Sequence, residues 1–182
     1  MVNPKFAPRE IFEQILEWAV IPTFDVLIEY GEEGIILVKR KLAPYQNQWA
    51  LPGLRMLKNE TTEDTLMRIA RQELGLTINP ARREFLGQFV GKFKTEHHRQ
   101  DLSTGYYIRI PSSQKIILNQ DHFSDIKLIK SKDEIPPNIG AMYTFYLEKY
   151  FSTKFRIKQY SYEGTDFDYS FLRAEPLPTS DY

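Results

Sequence analysis

Residues 52–76 read Pro52-Gly53-Leu54-Arg55-Met56-Leu57-Lys58-Asn59-Glu60-Thr61-Thr62-Glu63-Asp64-Thr65-Leu66-Met67-Arg68-Ile69-Ala70-Arg71-Gln72-Glu73-Leu74-Gly75-Leu76. The second half has the period of a helix, from about Thr62 to Leu74, and Gly75 supplies the left-handed residue that ends it. On a wheel of about 100° per residue, Leu66, Ile69, Ala70 and Leu74 share one apolar arc. Glu73 lies within about 20° of the centre of that arc. A carboxylate there cannot stay charged in a dry core without a partner. Two readings are open: a buried glutamate paired with an arginine from the sheet, or a helix at the mouth of a cleft with Glu73 facing a cation or substrate.

The residues before the helix bear on that choice. Between Gly34 and Lys58 stand Lys39, Arg40, Lys41, Arg55 and Lys58, with no acidic residue. The whole chain is neutral, with 24 Lys plus Arg against 24 Asp plus Glu, so this local excess is informative. It suits a phosphate held by arginines. A carboxylate facing a basic loop suggests a divalent cation bridging carboxylate and phosphate.

Further out, 8–19 (PREIFEQILEWA) is an amphipathic helix, and 21–30 and 34–41 form a hairpin around Gly31-Glu32-Glu33-Gly34. Strands follow at 83–94 and 104–110, with weaker candidates at 115–119 and 125–130, and a third helix covers roughly 140–151. This order predicts an α+β fold, a mixed sheet with helices packed against it. Residues 1–152 read as one domain and 153–182 as an aromatic-rich extension, a candidate extra hairpin. At 182 residues, 42% hydrophobic and 26% charged, the composition is that of a globular protein. Zero net charge argues against general nucleic-acid binding. The absence of cysteine excludes disulfides, thiolate metal sites and a Cys nucleophile. No apolar run is long enough for a membrane span, and residues 1–10 lack an apolar signal segment, so the expected location is the cytoplasm.

The quoted stretch resembles the Nudix box, G-x5-E-x7-R-E-U-x-E-E-x-G-U with U aliphatic. Leu54 takes the place of the glycine, and Glu60, Arg68, Glu73, Gly75 and Leu76 stand in register. Ile69 and Gln72 replace two of the glutamates that gather metal in that family. Those losses resemble the GDP-mannose mannosyl hydrolase branch, which keeps the glutamate matching Glu73. The likeness covers roughly 8–150, including Phe24-Asp25, Val38-Lys39-Arg40 and Trp49 through Arg55. It implies a Nudix-type mixed sheet sandwiched between helices. It also implies one Mg²⁺ and cleavage of a nucleoside diphosphate sugar at the sugar C1 carbon, in a homodimer. On this resemblance Gly53 offers a backbone carbonyl and Glu73 a carboxylate to magnesium. Arg40 and Arg55 lie near the diphosphate, Asp25 near the sugar, and Arg68 serves as a third arginine or braces the loop through Glu60.

The base is the open position. Ile135–Gly140, before the last helix, holds no histidine; Asn138 there is a weak candidate metal ligand through its amide oxygen. His97 and His98 are the candidate catalytic histidines, with Glu96 beside them, and His122 in its polar stretch reads as merely exposed. Tyr106, Tyr107 and Tyr143 are candidates to stack on a nucleobase. Two alternatives accompany the C1 hydrolase: a pyrophosphatase cleaving the P–O–P bridge, and a degenerate domain that binds a nucleotide sugar or a partner without turnover.

Overall fold

The computed structural model describes residues 7–94 and 98–161, with side chains to Ser152. The chain falls into two compact units, Met1–Phe151 and Ser152–Tyr182. In order, the elements are α1 (Arg9–Trp18), β1 (Ile21–Tyr30), β2 (Gly34–Arg40), β3 (Trp49–Ala50), β4 (Gly53–Arg55), α2 (Thr62–Leu74), β5 (Glu84–Lys92), β6 (Gln100–Ile110), β7 (Phe123–Ile129) and α3 (Ala141–Ser161). The strands make one seven-stranded mixed sheet. β1 is its axis. It runs parallel to β6 along its whole length, from Ile21 opposite Asp101 to Tyr30 opposite Ile110. On its other side it pairs antiparallel with β2 at one end and with β4 at the other. β2 therefore splays away from β1, and β4 fills the gap so that Gly53 faces Asp25.

Side-chain alternation along β1 divides the core. Val26 and Ile28 share the face that carries Phe24, while Leu27 lies between Asp25 and Glu29 on the opposite face; all three apolar side chains are fully buried. α2 buries Leu66, Ile69, Ala70 and Leu74, the arc expected from its sequence. Thr61 caps it reciprocally with Asp64, and Gly75 closes it at φ 65°. α3 buries Met142, Tyr143, Tyr146, Leu147 and Tyr150. Its Tyr146 hydroxyl donates to the Ser103 carbonyl at 3.0 Å. The ring lies where a Cβ on Gly105 would stand, 2.4 Å from its nearest carbon, so that strand position admits only glycine.

Two expectations need correction, and a third element, α1, forms as expected but is only partly covered. Residues 115–119 form no strand. They run instead along the end of α2, where Ile117 N and Asn119 N donate to the carbonyls of Leu74 and Glu73 at 2.8 and 2.9 Å. A helix end needs such donors, and this use of the backbone outweighs strand propensity. Residues 152–161 continue α3 rather than entering a hairpin; 162–182 lie outside the described residues. α1 shows only part of its apolar stripe to the domain: Leu16 is buried, whereas Ile11 and Ile15 are 47% and 38% exposed.

Candidate active site

Two connected cavities open where α2, the β4 turn and the start of β6 meet. The outer cleft, about 450 Å³, is lined by Arg40, Gly53, Arg55, Arg68, Gln72, Glu73, Arg99 and His122 among others. The inner chamber, about 60 Å³, is lined by Thr23, Asp25, Tyr45, Asp101 and Tyr143. Arg40, Gly53, Leu54, Arg55 and Arg99 border both.

Glu73 is 1% exposed, and its partner is neither an arginine nor empty solvent. His122 Nδ1 lies 2.9 and 3.0 Å from its two carboxylate oxygens, and Asn119 Nδ2 donates to Oε1 at 3.3 Å. A carboxylate only accepts, so Nδ1 carries a proton towards Glu73. The His122 side chain is 37% exposed. The expectation that His122 is a bystander on the surface is therefore overturned. The reason is the corrected segment: pairing of 117–119 with the end of α2 carries the following turn to Glu73. A buried glutamate on an apolar arc was the signal that a partner must arrive from elsewhere in the chain.

Arg68 braces the loop before its helix. Its Nε and Nη2 donate to Glu60 at 2.5 and 2.9 Å, and Nη2 also donates to the Arg55 carbonyl at 2.7 Å. Glu60 further accepts from Leu57 N and Thr65 Oγ1. Burial alone would raise its pKa, but these donors, Arg68 first, hold it below the usual glutamate value. Arg55 lays its guanidinium 3.8 Å from the Phe12 ring centroid, which ties α1 to the cleft. Burial lowers its pKa, and the neighbouring charges of Arg99 and Arg68 lower it further. Arg40 borders both cavities, but its Nε donates to the Pro44 carbonyl at 2.8 Å and its fork spans the loop carbonyls of 42–44. It holds the cleft wall.

Asp25 is 3% exposed at the chamber floor and accepts from Ser103 Oγ at 2.5 Å. Ser103 Oγ also lies 2.8 Å from the Tyr146 hydroxyl. Burial pushes the Asp25 carboxyl up to about 7, more than the Ser103 hydrogen bond and the Arg40 charge pull it down. A Cβ at Gly53 would stand 2.1 Å from Asp25 Oδ1, so the glycine is what lets the β4 backbone approach this carboxyl. The hydroxyl of Thr23, also at the chamber wall, is buried and has no hydrogen-bond partner among the described residues.

The other expected site residues are scattered. Tyr143 does line the inner chamber, 3% exposed, and burial raises its hydroxyl pKa. Tyr106 stacks on Phe24 at 6.1 Å and meets the edge of Phe85; it borders neither cavity. Tyr107 points to the opposite face and donates to Glu29. Alternation along β6 sends the two tyrosines to opposite sides of the sheet, and the helices and strands there use both for packing. Asn138 is exposed and borders neither cavity; its backbone carbonyl accepts from Trp49 N at 2.9 Å. His98 is exposed at φ 54° and also borders neither cavity. His97 and Glu96 lie outside the described residues.

No group of three or more His, Asp or Glu side chains gathers as a metal cage among the described residues. Nor is any helix among them long and apolar enough to cross a membrane. Among the described residues that line the outer cleft, Glu73 is the only carboxylate, and Gly53, Gln72 and His122 line it as well.

A mixed sheet between helices, with the box glutamate turned into an arginine-lined cleft, is the architecture of a Nudix-type hydrolase. The chain belongs to the NUDIX domain family, whose sequence profile matches residues 20–173. It is 34% identical over 88 residues to the low-salt glycan biosynthesis protein Agl8 of Haloferax volcanii, 48% of this chain and 54% of that protein. The chain thus spans about half the length of this curated relative. Among solved structures it resembles a MutT NUDIX hydrolase from Burkholderia pseudomallei, with a TM-score of 0.62, 21% identity, and 71% of this chain and 96% of that one covered. It also resembles the NUDIX domain of Shewanella oneidensis NrtR, solved with ADP ribose, with a TM-score of 0.59, 18% identity, and 83% and 94% covered. At these identities the structural likeness carries the fold.

Proposed function

We propose that the protein is a Mg²⁺-dependent hydrolase of a nucleoside diphosphate sugar, GDP-mannose-like, that cleaves at the sugar C1 carbon to give nucleoside diphosphate and free sugar. The observation that carries this reading is the Glu73–His122 pair in the outer cleft, beside Gly53 and Arg55 and without carboxylates at 69 and 72. One carboxylate with a backbone carbonyl fits a single hard cation that keeps water and phosphate oxygens as its other ligands. It does not fit the several metals that a cluster of box glutamates would hold. When bound, the ion would stabilise the charge on the departing diphosphate. The NrtR domain's ADP ribose and Agl8's part in glycan biosynthesis accord with a nucleotide-sugar ligand.

The chain's own groups then divide the work. Arg55 binds the diphosphate and offsets charge as the C1–O bond breaks. His122, its Nδ1 proton held by Glu73, accepts the proton of the attacking water at Nε2 as the water oxygen bonds to C1. Both Glu73 oxygens face His122 Nδ1, and binding of the cation would leave one of them on the imidazole and take the other. Asp25 and the Thr23 hydroxyl hold sugar hydroxyls at the chamber wall. His122 in this role replaces His97 and His98 as the base.

The test is product analysis. Wild type and Glu73→Gln are incubated with Mg²⁺ and a panel of GDP-, ADP- and UDP-sugars. Nucleoside diphosphate plus free sugar from the wild type, with at least a hundredfold loss in the variant, is the expected result. Nucleoside monophosphate plus sugar phosphate would assign attack to phosphorus instead. Binding of a nucleotide sugar without turnover would assign a binding domain.

A further inference from the structure

We propose that Ser103 and Tyr146 are positioning residues for the sugar end of this site: Tyr146 sets the Ser103 hydroxyl, and Ser103 sets the Asp25 carboxyl that meets the sugar. The proposal rests on the nucleotide-sugar reading above. The three residues come from β1, β6 and α3. Asp25 of β1 stands opposite Gly105 of β6, and Thr23 stands opposite Ser103. Strand alternation puts these four positions on one face of the sheet. Ser103 and Tyr146 are fully buried, and neither lines the cleft or the chamber. Their route to a ligand in either cavity runs through Asp25, which lines the chamber.

Counting protons gives the chain a direction. A hydroxyl carries one proton. Ser103 Oγ donates its proton to Asp25 Oδ2 at 2.5 Å, so at its 2.8 Å contact with Tyr146 it accepts. The Tyr146 O–H therefore lies between Ser103 Oγ and the Ser103 carbonyl, at 2.8 and 3.0 Å. Two acceptors on one residue, gripped by one donor, hold the serine side chain in the rotamer that faces Asp25. The tyrosine reaches that point because Gly105 has no Cβ; one would stand 2.4 Å from the ring. With Oδ2 committed to Ser103, Asp25 Oδ1 lies over Gly53, where a Cβ would be 2.1 Å away. Gly53 borders both cavities, so the chain sets Oδ1 at the joint between chamber and cleft. A carboxyl pinned in this way loses little freedom when a sugar hydroxyl meets it.

The experiment is steady-state hydrolysis by the full chain with Mg²⁺. The substrate is whichever of the GDP-, ADP- and UDP-sugars the wild type turns over fastest, and the matching nucleoside diphosphate is titrated as inhibitor. The variants are Ser103→Ala, Tyr146→Phe, Asp25→Ala, and Ser103→Ala combined with Asp25→Ala. Tyr107→Phe is the control, because it removes a hydroxyl that hydrogen-bonds Glu29 outside both cavities. Ser103→Ala should lower kcat/KM about tenfold to a hundredfold, and Tyr146→Phe about threefold to tenfold. Inhibition by the diphosphate, which lacks the sugar, should stay within about twofold of wild type in both, and Tyr107→Phe should leave both constants unchanged. In the Asp25→Ala background, Ser103→Ala should have no further effect, because the residue it positions is gone. Wild-type kcat/KM in folded Ser103→Ala and Tyr146→Phe proteins would overturn the proposal and leave the hydrolase reading intact. So would losses that add in the double variant, or an equal loss in Tyr107→Phe. A wild type that hydrolyses none of these sugars would instead overturn the reading of the site itself.

Discussion

Glu60 and Glu73 stand in register with the same box and flank the same helix, yet the tertiary structure uses them in opposite ways. Glu60 is saturated: a backbone amide, a threonine hydroxyl and the Arg68 fork take its oxygens. Glu73 has an imidazole and a weak amide contact, and it borders an open cleft. A guanidinium that satisfies a carboxylate in two directions leaves no room for a cation. An imidazole nitrogen shared between both carboxylate oxygens is a weaker tie than a guanidinium fork, and it brings a second ring nitrogen of its own to the cleft. The first arrangement builds the loop on which Arg55 sits; the second can do chemistry.

The sharpest way to break this contrast is at His122. His122→Ala should lower kcat of the folded protein on the order of 10³-fold and also lower the denaturant midpoint, because it leaves the buried Glu73 carboxylate with the Asn119 amide as its remaining described hydrogen-bond partner. Loss of stability without loss of kcat would make the pair structural, like Glu60 with Arg68.

Asp25 sharpens the comparison from the chamber side. Its folded carboxyl holds a proton up to about 7, whereas the unfolded one ionises near 3.8. Folding therefore takes up a proton between those values, and stability falls as pH rises across the window, by up to ~4 kcal/mol for a single group. Denaturant unfolding of wild type and Asp25→Asn at pH 5 and pH 8 should show this fall in the wild type and a flatter profile in the variant. Parallel profiles would mean that Asp25 is ionised throughout.

Glu60→Gln should act on the other limb of the contrast. Arg68 and Glu60 side chains are 12% and 9% exposed, and removing one charge of such a pair destabilises by about 3 kcal/mol. The expected reading is a lower denaturant midpoint, with kcat of the remaining folded protein reduced far less than in His122→Ala. The smallest effect is expected at Tyr106. Tyr106→Leu removes a ring that stacks on Phe24 outside both cavities, so KM for the nucleotide sugar should stay within about threefold of wild type. A large rise in KM would restore this tyrosine to the binding site.

Much of the scaffold was legible because it rests on local patterns. The arc of α2, its stop at Gly75, the hairpin of β1 and β2 and the brace from Arg68 to Glu60 all follow from spacing within one stretch of chain. Residues 115–119 show the limit. Their apolar, β-branched composition reads as a strand, but the carbonyls at the end of α2 needed donors, and the segment supplies them. Tyr143 lines the smaller cavity, whereas Tyr106 and Tyr107 border neither cavity, for a related reason. Tyr106 and Tyr107 alternate as expected, but which side of the sheet opens into a cleft is not written in the alternation.

From the chain alone came the box, the lone glutamate on an apolar arc, the surplus of basic residues near it and the demand that a buried carboxylate find a partner. Local periodicity and electrostatic necessity suffice for those. Which residue answers that demand, and which aromatic ring Arg55 stacks on, depends on contacts between segments tens of residues apart. His122 reaches Glu73 across 49 positions, and Ser103 reaches Asp25 across 78. Such pairings arise only when the sheet register and the helix end have both been satisfied, so only the tertiary structure could decide them.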